Sequence, residues 1–436
     1  MRDRVPTPGK ENRVKITQDS STAIEGVLAY ADDATQEGSP YTKGNVLPDE
    51  VCDLMSLDHN SSEPRDAFCY LALMQASVYG KIVVTVTSNG LPMVGINFTI
   101  GNHSVTTNSQ GQASVIVSPG NYTATFSNTL DLIFSPASMQ VTATKGKINY
   151  YSVTASEAST TQQTFTSSTS ISFSSRVSDF DVFCVGGGGS GAAVCGMRAS
   201  NSRFCEVGAS GGGGGYTATA RNITNTGAVI RIVIGSGGSA VSAVLNATDV
   251  GGATGDKQDG NPGGETYVSM GSKICSALGG NGGKSSVSLN NGFCYAPGAD
   301  GGSGSGSASG YPVGSSGYNG SDGGDSGGNA GGTGQGTTTR AFGESSGTQY
   351  SPAGRSAYVN TSGRRSEGTG GTGAGEPEAL YGSSESLSAA ATQGSVAGAG
   401  GGACAISNSL TSSEAHFTSR SGAGRAGLVI IRWRYN

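Results

Sequence analysis

Residues 180–191, FDVFCVGGGGSG, decide how the chain is read. The apolar run Val182-Phe183-Cys184-Val185 ends at glycines whose spacing, Gly186, Gly188 and Gly191, satisfies the G-x-G-x-x-G of a dinucleotide-binding turn. That turn delivers a phosphate only if a crossover helix of roughly a dozen residues follows. Here residues 192–202 carry Gly196 near their middle and turn formers after it, so no helix is expected and the cofactor reading fails on context. Cys184 alternates with apolar neighbours and reads as a small core residue.

Composition explains why such a fingerprint arises. Of 74 glycines in 436 residues, 11 precede Gly186 and 63 follow from there on. A tract that is about one-quarter glycine, roughly three times ordinary usage, generates motifs by chance. Gly324-Asp325-Ser326-Gly327-Gly328 copies the nucleophile motif of trypsin-like proteases, but the only histidines are His59, His103 and His416, in three separate segments. Leu278-Gly-Gly-Asn-Gly-Gly283-Lys284-Ser285 approaches a phosphate loop with Leu278 where the first glycine is required. Asp256, Asp259, Asp322 and Asp325 lack the nonapeptide period of calcium repeats. Eight cysteines include no CxxC pair and no zinc spacing. The expectation is a protein that is not an enzyme and uses no cofactor and no catalytic metal, with a weak cation site at Asp256, Asp259, Asp322 and Asp325 as the minor alternative.

A net charge of −5 argues against nucleic acid as principal partner. With no run of about 18 apolar residues, no membrane insertion is expected, and the chain reads as made in the cytoplasm.

Three regions are expected. Residues 1–78 are polar and proline-punctuated, with Asp66-Ala-Phe-Cys-Tyr-Leu-Ala-Leu-Met-Gln suiting a short helix. Residues 79–155 alternate with period two: Ile82, Val84 and Val86 share a face, Asn108-Ser-Gln-Gly111 is a turn, and Val115 and Val117 resume the pattern. Short strands at this spacing make a small antiparallel β-sandwich. In residues 156–436 strand-like runs alternate with glycine runs, as in GGGGGYTATA, VIRIVIGSGG and GLVIIRW. Glycine loses the most backbone entropy on ordering, so such runs are ordered only if backbone packs on backbone. Extended left-handed helices of about 3.1 Å rise do this, provided each buried N–H and C=O finds a neighbouring helix. The fold class is therefore mainly β, with packed polyglycine-II-type helices in its glycine-rich part.

Resemblances attach to each region. MRDRVPTPGKENRVKI and ADDATQEGSPYTKGNVLPDEVCDLMSL resemble the N-terminal segment of tail-fibre or tail-tip proteins of tailed bacteriophages, which implies attachment to tail or baseplate proteins. LPMVGINFTI and TTNSQGQASVIVSPGNYTATF resemble carboxypeptidase-regulatory-like or bacterial Ig-like spacer modules. The glycine runs, with GQGTTTRAFGESSGTQYS and the closing GLVIIRW, resemble the glycine-rich domain of phage tail adhesins. That resemblance implies a receptor-binding head contacting a bacterial surface glycan or outer protein, located in the virion tail. A fibre of this kind is expected as a homotrimer; a single adhesin capping another fibre stays open.

The chain departs from the nearly pure glycine of that domain at SPAGRSAYVNTSGRRSEG and CAISNSLTSSEAHFTSRS. Aromatic and cationic groups there offer rigid area and planar donors. The candidate receptor-binding residues are Tyr350, Arg355, Tyr358, Arg364, Arg365, Tyr381, His416, Phe417 and Arg420. A structural fibre connector is the alternative. A glycan depolymerase is a weaker one, since no segment places a pair of carboxylates.

Overall fold

A computed structural model describes residues 14–18, 26–30, 47, 49–55, 57–59, 63–197, 205–247, 254–289, 294–302, 308–309, 339–360, 363, 365–368, 372–408 and 414–435. They fall into two compact units: Met1–Phe126 with Pro136–Thr154, and Ser127–Ser135 with Ala155–Asn436.

In the first unit, helices span Asp49–Met55 and Pro64–Val78. The second begins where Pro64 needs no partner for an N–H, and the Glu63 N–H donates to the Asp66 carboxylate at 2.7 Å. The sandwich follows. One sheet runs Ser138–Ala143, Gly120–Thr125, Asn97–Ile100, His103–Thr106, and the other includes Leu91–Pro92, Gly80–Ser88 and Ile148–Glu157, with Gln112–Val117 also pairing Gly80–Ser88. Ile82, Val84 and Val86 are buried as their alternation predicts, and Phe98 stacks on Phe126 at 4.6 Å between ring centres. Gly111, at φ +70°, closes its turn by donating to the Asn108 carbonyl at 2.9 Å. The sandwich is not wholly antiparallel: Ile148–Glu157 lies parallel to Gly80–Ser88.

The second unit is built in three zones. At one end, the sheet Gln162–Phe165, Leu428–Tyr435, Val177–Val185, Thr217–Thr224 faces the sheet Thr169–Ile171, Ile230–Val233, Thr266–Met270, Ser272–Ala277. Phe173, Phe180, Val182, Cys184, Ile230, Ile232 and Trp433 share the core between them. The opposite face of Val177–Val185 is buried too, because Phe183 and Val185 pack with Phe342, Leu428 and Ile430. Burial on both faces explains why Val182-Phe183-Cys184-Val185 is an unbroken apolar run.

At the other end, three small sheets stack. The middle one, Thr254–Gln258, Ala193–Met197, Cys404–Asn408, Glu378–Gly382, shares one core with Ser285–Leu289, Cys205–Ala209, Ala357–Asn360, Arg365–Glu367. It shares another with Ser242–Ala247, Ala415–Arg420, Ser386–Ala390. Alanine, cysteine and glycine dominate the middle strands because each must fit between two neighbours: a Cβ on Gly196 would lie 2.5 Å from the Cys205 sulfur. As expected, a strand and not a helix follows Gly191.

Between the two ends, the glycine runs lie side by side. Along 186–192, successive N–H groups donate to three neighbouring segments in rotation. Gly186, Gly189 and Ala192 donate to Tyr216, Gly213 and Ser210; Gly187 and Ser190 to Gly264 and Asn261; Gly188 and Gly191 to Arg425 and Gly422, all at 2.9–3.1 Å. The carbonyls of Gly187, Gly188, Gly189 and Ser190 accept from Gly280, Gly238, Gly401 and Gly283. A segment with no strand partner of its own thus bonds to six neighbours, and its buried polar groups are satisfied between segments. Side chains would not fit: a Cβ on Gly189 or Gly212 would sit 2.0 or 2.1 Å from a neighbouring carbonyl oxygen.

Candidate functional site

Each strand of the stacked sheets is joined on one side to a glycine segment. The strand ends Met197, Ala247, Leu289, Asn360, Gly382 and Asn408 therefore all lie on the side away from the glycine zone. The zone is a frame holding strand ends together at one face.

The sequence-predicted residues separate into groups on this frame. Arg365 is exposed on the edge strand Arg365–Glu367 and donates to the Ala379 carbonyl at 3.4 Å. Tyr381, half-buried on Glu378–Gly382, lies against Gly363, whose added Cβ would be 3.3 Å from its ring. His416 and Arg420 point outward from the central strand of a different sheet; the His416 Nδ1 lies 3.0 Å from the Asn246 Oδ1 across the strand pair. Arg364 lies outside the described residues.

Two candidates are corrected by burial. Phe417 is fully buried and Tyr358 is 3% exposed, so neither can touch a receptor on this surface. Phe417 fills the core beside Cys195, Met197 and Ile406, and Tyr358 packs on Cys294 and Ala296. Burial pushes the Tyr358 hydroxyl well above its ordinary pKa, and the nearby Glu206 carboxylate adds to the rise.

Tyr350 and Arg355 line separate halves of a groove on the flank of the glycine zone, and no single stretch of sequence reveals it. Its upper half is lined by Arg355, Thr372, Glu376, Thr392, Gln393 and Ser395. Its lower half shares Gln393 and Ser395 and adds Thr166, Tyr350, Val396, Arg425 and Leu428. Arg355 pairs with Glu376, whose backbone N–H donates to the Thr392 hydroxyl at 2.9 Å. The Gln393 amide donates to the Gly424 carbonyl at 2.9 Å and accepts from Arg425 at 3.4 Å. The Tyr350 ring is backed by Phe183, 5.8 Å between centres, and desolvation raises its hydroxyl pKa. Gln393 and Arg425 sit among glycines, alanines and serines with nothing in their spacing to single them out.

At the opposite end, an ionic network anchors the sheet. The Arg434 guanidinium donates to both Asp181 oxygens at 3.0 Å and also pairs with Asp179. With Asp181 buried, this fork lowers its pKa from 3.8 to about 2. The Arg432 guanidinium stacks 4.2 Å from the Phe342 ring centre and pairs with Glu344 at 2.9 Å.

Among the described residues no cluster of three or more His, Cys, Asp or Glu could hold a metal, and no helix is long and apolar enough to cross a membrane. Residues 160–434 match a family described as a glycine-rich domain. No curated protein matches the chain. Solved structures that share some likeness include a DUF3823 family protein from Parabacteroides merdae, at 10% identity and TM-score 0.16 over 51% of this chain and 91% of that one. Another is the TIE protein of Bacillus anthracis, at 8% identity and TM-score 0.18 over 49% of this chain and 46% of that one. Superpositions this poor bear on neither fold nor function.

Proposed function

The chain belongs to the glycine-rich domain family, and we propose that it is a tailed-bacteriophage tail-fibre or tail-tip adhesin that binds the bacterial host surface. The observation that carries the reading is the division of labour in the second unit: a glycine-rich zone holds many strand ends on one face, with exposed Arg365, His416 and Arg420 on the sheets that bear them. The threefold rotation of hydrogen bonds along 186–192 supports a polyglycine-II-type packing of the glycine runs. In this reading residues 1–78 attach the protein to tail or baseplate proteins, 79–155 form a spacer, and 156–436 are the receptor-binding head. The receptor is a surface glycan or outer protein, the assembly a homotrimer, the location the virion tail, and no catalysis is involved. Several weak contacts per chain, multiplied by copy number, supply avidity.

The test is adsorption. Purified full-length protein should bind host cells and compete with the phage that carries it, and exchange of residues 351–367 or 404–421 should alter the range of strains bound. Protein that neither binds nor competes refutes the adhesin reading and leaves a structural fibre connector.

A further inference from the structure

We infer that the lower half of the flank groove binds a carboxylated sugar, with Arg425 as its anion-binding group; this rests on the adhesin reading and names a ligand class for it. The groove offers two chemistries that meet in such a ligand. Its floor is apolar: the half-buried Tyr350 ring, held from behind by Phe183, lies with Val396 and Leu428, and together they suit the C–H face of a pyranose. Its rim is polar, with Thr166, Ser395 and Arg425 exposed around that floor. Concave apolar walls with a few placed polar groups are how small ligands are oriented and held.

Arg425 decides the charge of the ligand. Arg355, Arg432 and Arg434 in the same unit all pair with carboxylates. Among the described residues no carboxylate lies within ion-pair distance of Arg425, whose guanidinium meets only the neutral Gln393 Oε1 at 3.4 Å. The Gln393 amide is itself fixed by its bond to the Gly424 carbonyl at 2.9 Å. Gln393 thus positions the guanidinium at the groove without neutralising it. A planar fork of donors left over an apolar floor matches a carboxylate on a sugar ring, which it would take bidentately.

The experiment uses the full chain, with methyl β-glucuronide and the neutral methyl β-glucoside as probes, followed by ligand-observed NMR and calorimetry. The expected result is that the glucuronide binds at least about tenfold more tightly than the glucoside, because one charge-assisted fork is worth about that factor. Arg425→Ala should abolish the difference, and Arg425→Lys should retain only part of it, since a point charge lacks the fork. Thermal melting of each variant should coincide with that of the natural chain, because Arg425 is exposed. Equal binding of the two probes, no binding of either, or an Arg425→Ala variant that still prefers the glucuronide each overturns the inference. If the protein adsorbs to cells while failing these tests, the groove assignment falls and the adhesin reading stands. If it does not adsorb, the adhesin reading falls independently of what the groove binds.

Discussion

Replacing Gly189 by alanine adds one methyl group in the middle of the glycine zone. The new Cβ would lie 2.0 Å from the Asn281 carbonyl oxygen, whereas real contacts begin near 3.0 Å, so the two segments must separate by about 1 Å. That oxygen accepts from the Gly213 N–H at 2.9 Å, and Gly189 itself donates to the Gly213 carbonyl at 2.9 Å. Both bonds are buried and would stretch beyond useful geometry. Leaving buried polar groups unsatisfied costs about 1–3 kcal/mol each, which puts the variant about 3–5 kcal/mol below the natural chain. For a domain of this size that is a fall of about 6–15 °C in melting temperature, measured by circular dichroism or calorimetry. Two controls separate close packing from backbone conformation. Gly227→Ala meets nothing within 4 Å but must hold φ +74°, costing about 1 kcal/mol. Ser190→Ala, one residue along the same segment, loses only the 2.8 Å bond from the Asn261 N–H to the Ser190 hydroxyl. A Gly189→Ala protein that melts no lower than these two would refute the argument that backbone contact holds the zone together.

Other expectations are simpler to check. Because Arg434 lowers the Asp181 pKa from 3.8 to about 2, the charged carboxylate favours the fold above about pH 4, and this contribution is lost as pH falls from about 4 to 2. Screening at the partly exposed Arg434 leaves it at about 1–2 kcal/mol, so Asp181→Asn should flatten the acid limb of the melting profile, and an unchanged limb would contradict it. Of the eight cysteines only Cys69 is exposed, and burial pushes Cys195, Cys205, Cys294 and Cys404 up to about 12. One thiol per folded chain should therefore react quickly with Ellman's reagent, none after Cys69→Ser, and eight in denaturant; more than one fast thiol in the folded natural chain would contradict the burial.

How far the sequence could be read depended on the range of the cause. Local alternation located Ile82, Val84 and Val86, the turn at Gly111 and the strand before Gly186, because each depends on near neighbours. The glycine runs were legible as backbone packing, but which run meets which was not: Gly188 bonds Arg425 and Gly213 bonds Asn281, and nothing in a run of identical residues encodes a partner. The candidate site failed differently. Tyr358 and Phe417 stood out as large groups in a small-residue tract, and that same smallness creates cores that such groups fill. For Phe417 the warning was present, since Ala415, Phe417 and Ser419 alternate with the exposed His416, Thr418 and Arg420. For Tyr358 it was not, because Ala357–Asn360 is buried on both faces. The groove around Gln393 and Arg425 is assembled from segments distant in sequence, so only the folded chain brings it into view.

The placement of Leu428–Tyr435 between Gln162–Phe165 and Val177–Val185 has a kinetic consequence. The Arg434–Asp179 contact it brings closes a loop of 255 residues, and the neighbouring glycine segments cannot satisfy 186–192 until 422–427 has arrived beside them. Folding of the second unit should therefore be slow and late, with almost no stable partial form to rest in, because long loops are closed before their contacts are rewarded. A nascent chain stopped before Leu428 would expose a strand apolar on both faces and a set of unpaired backbones. Such a species is prone to aggregate, so production of this protein should depend on temperature and on folding helpers far more than its small side chains suggest.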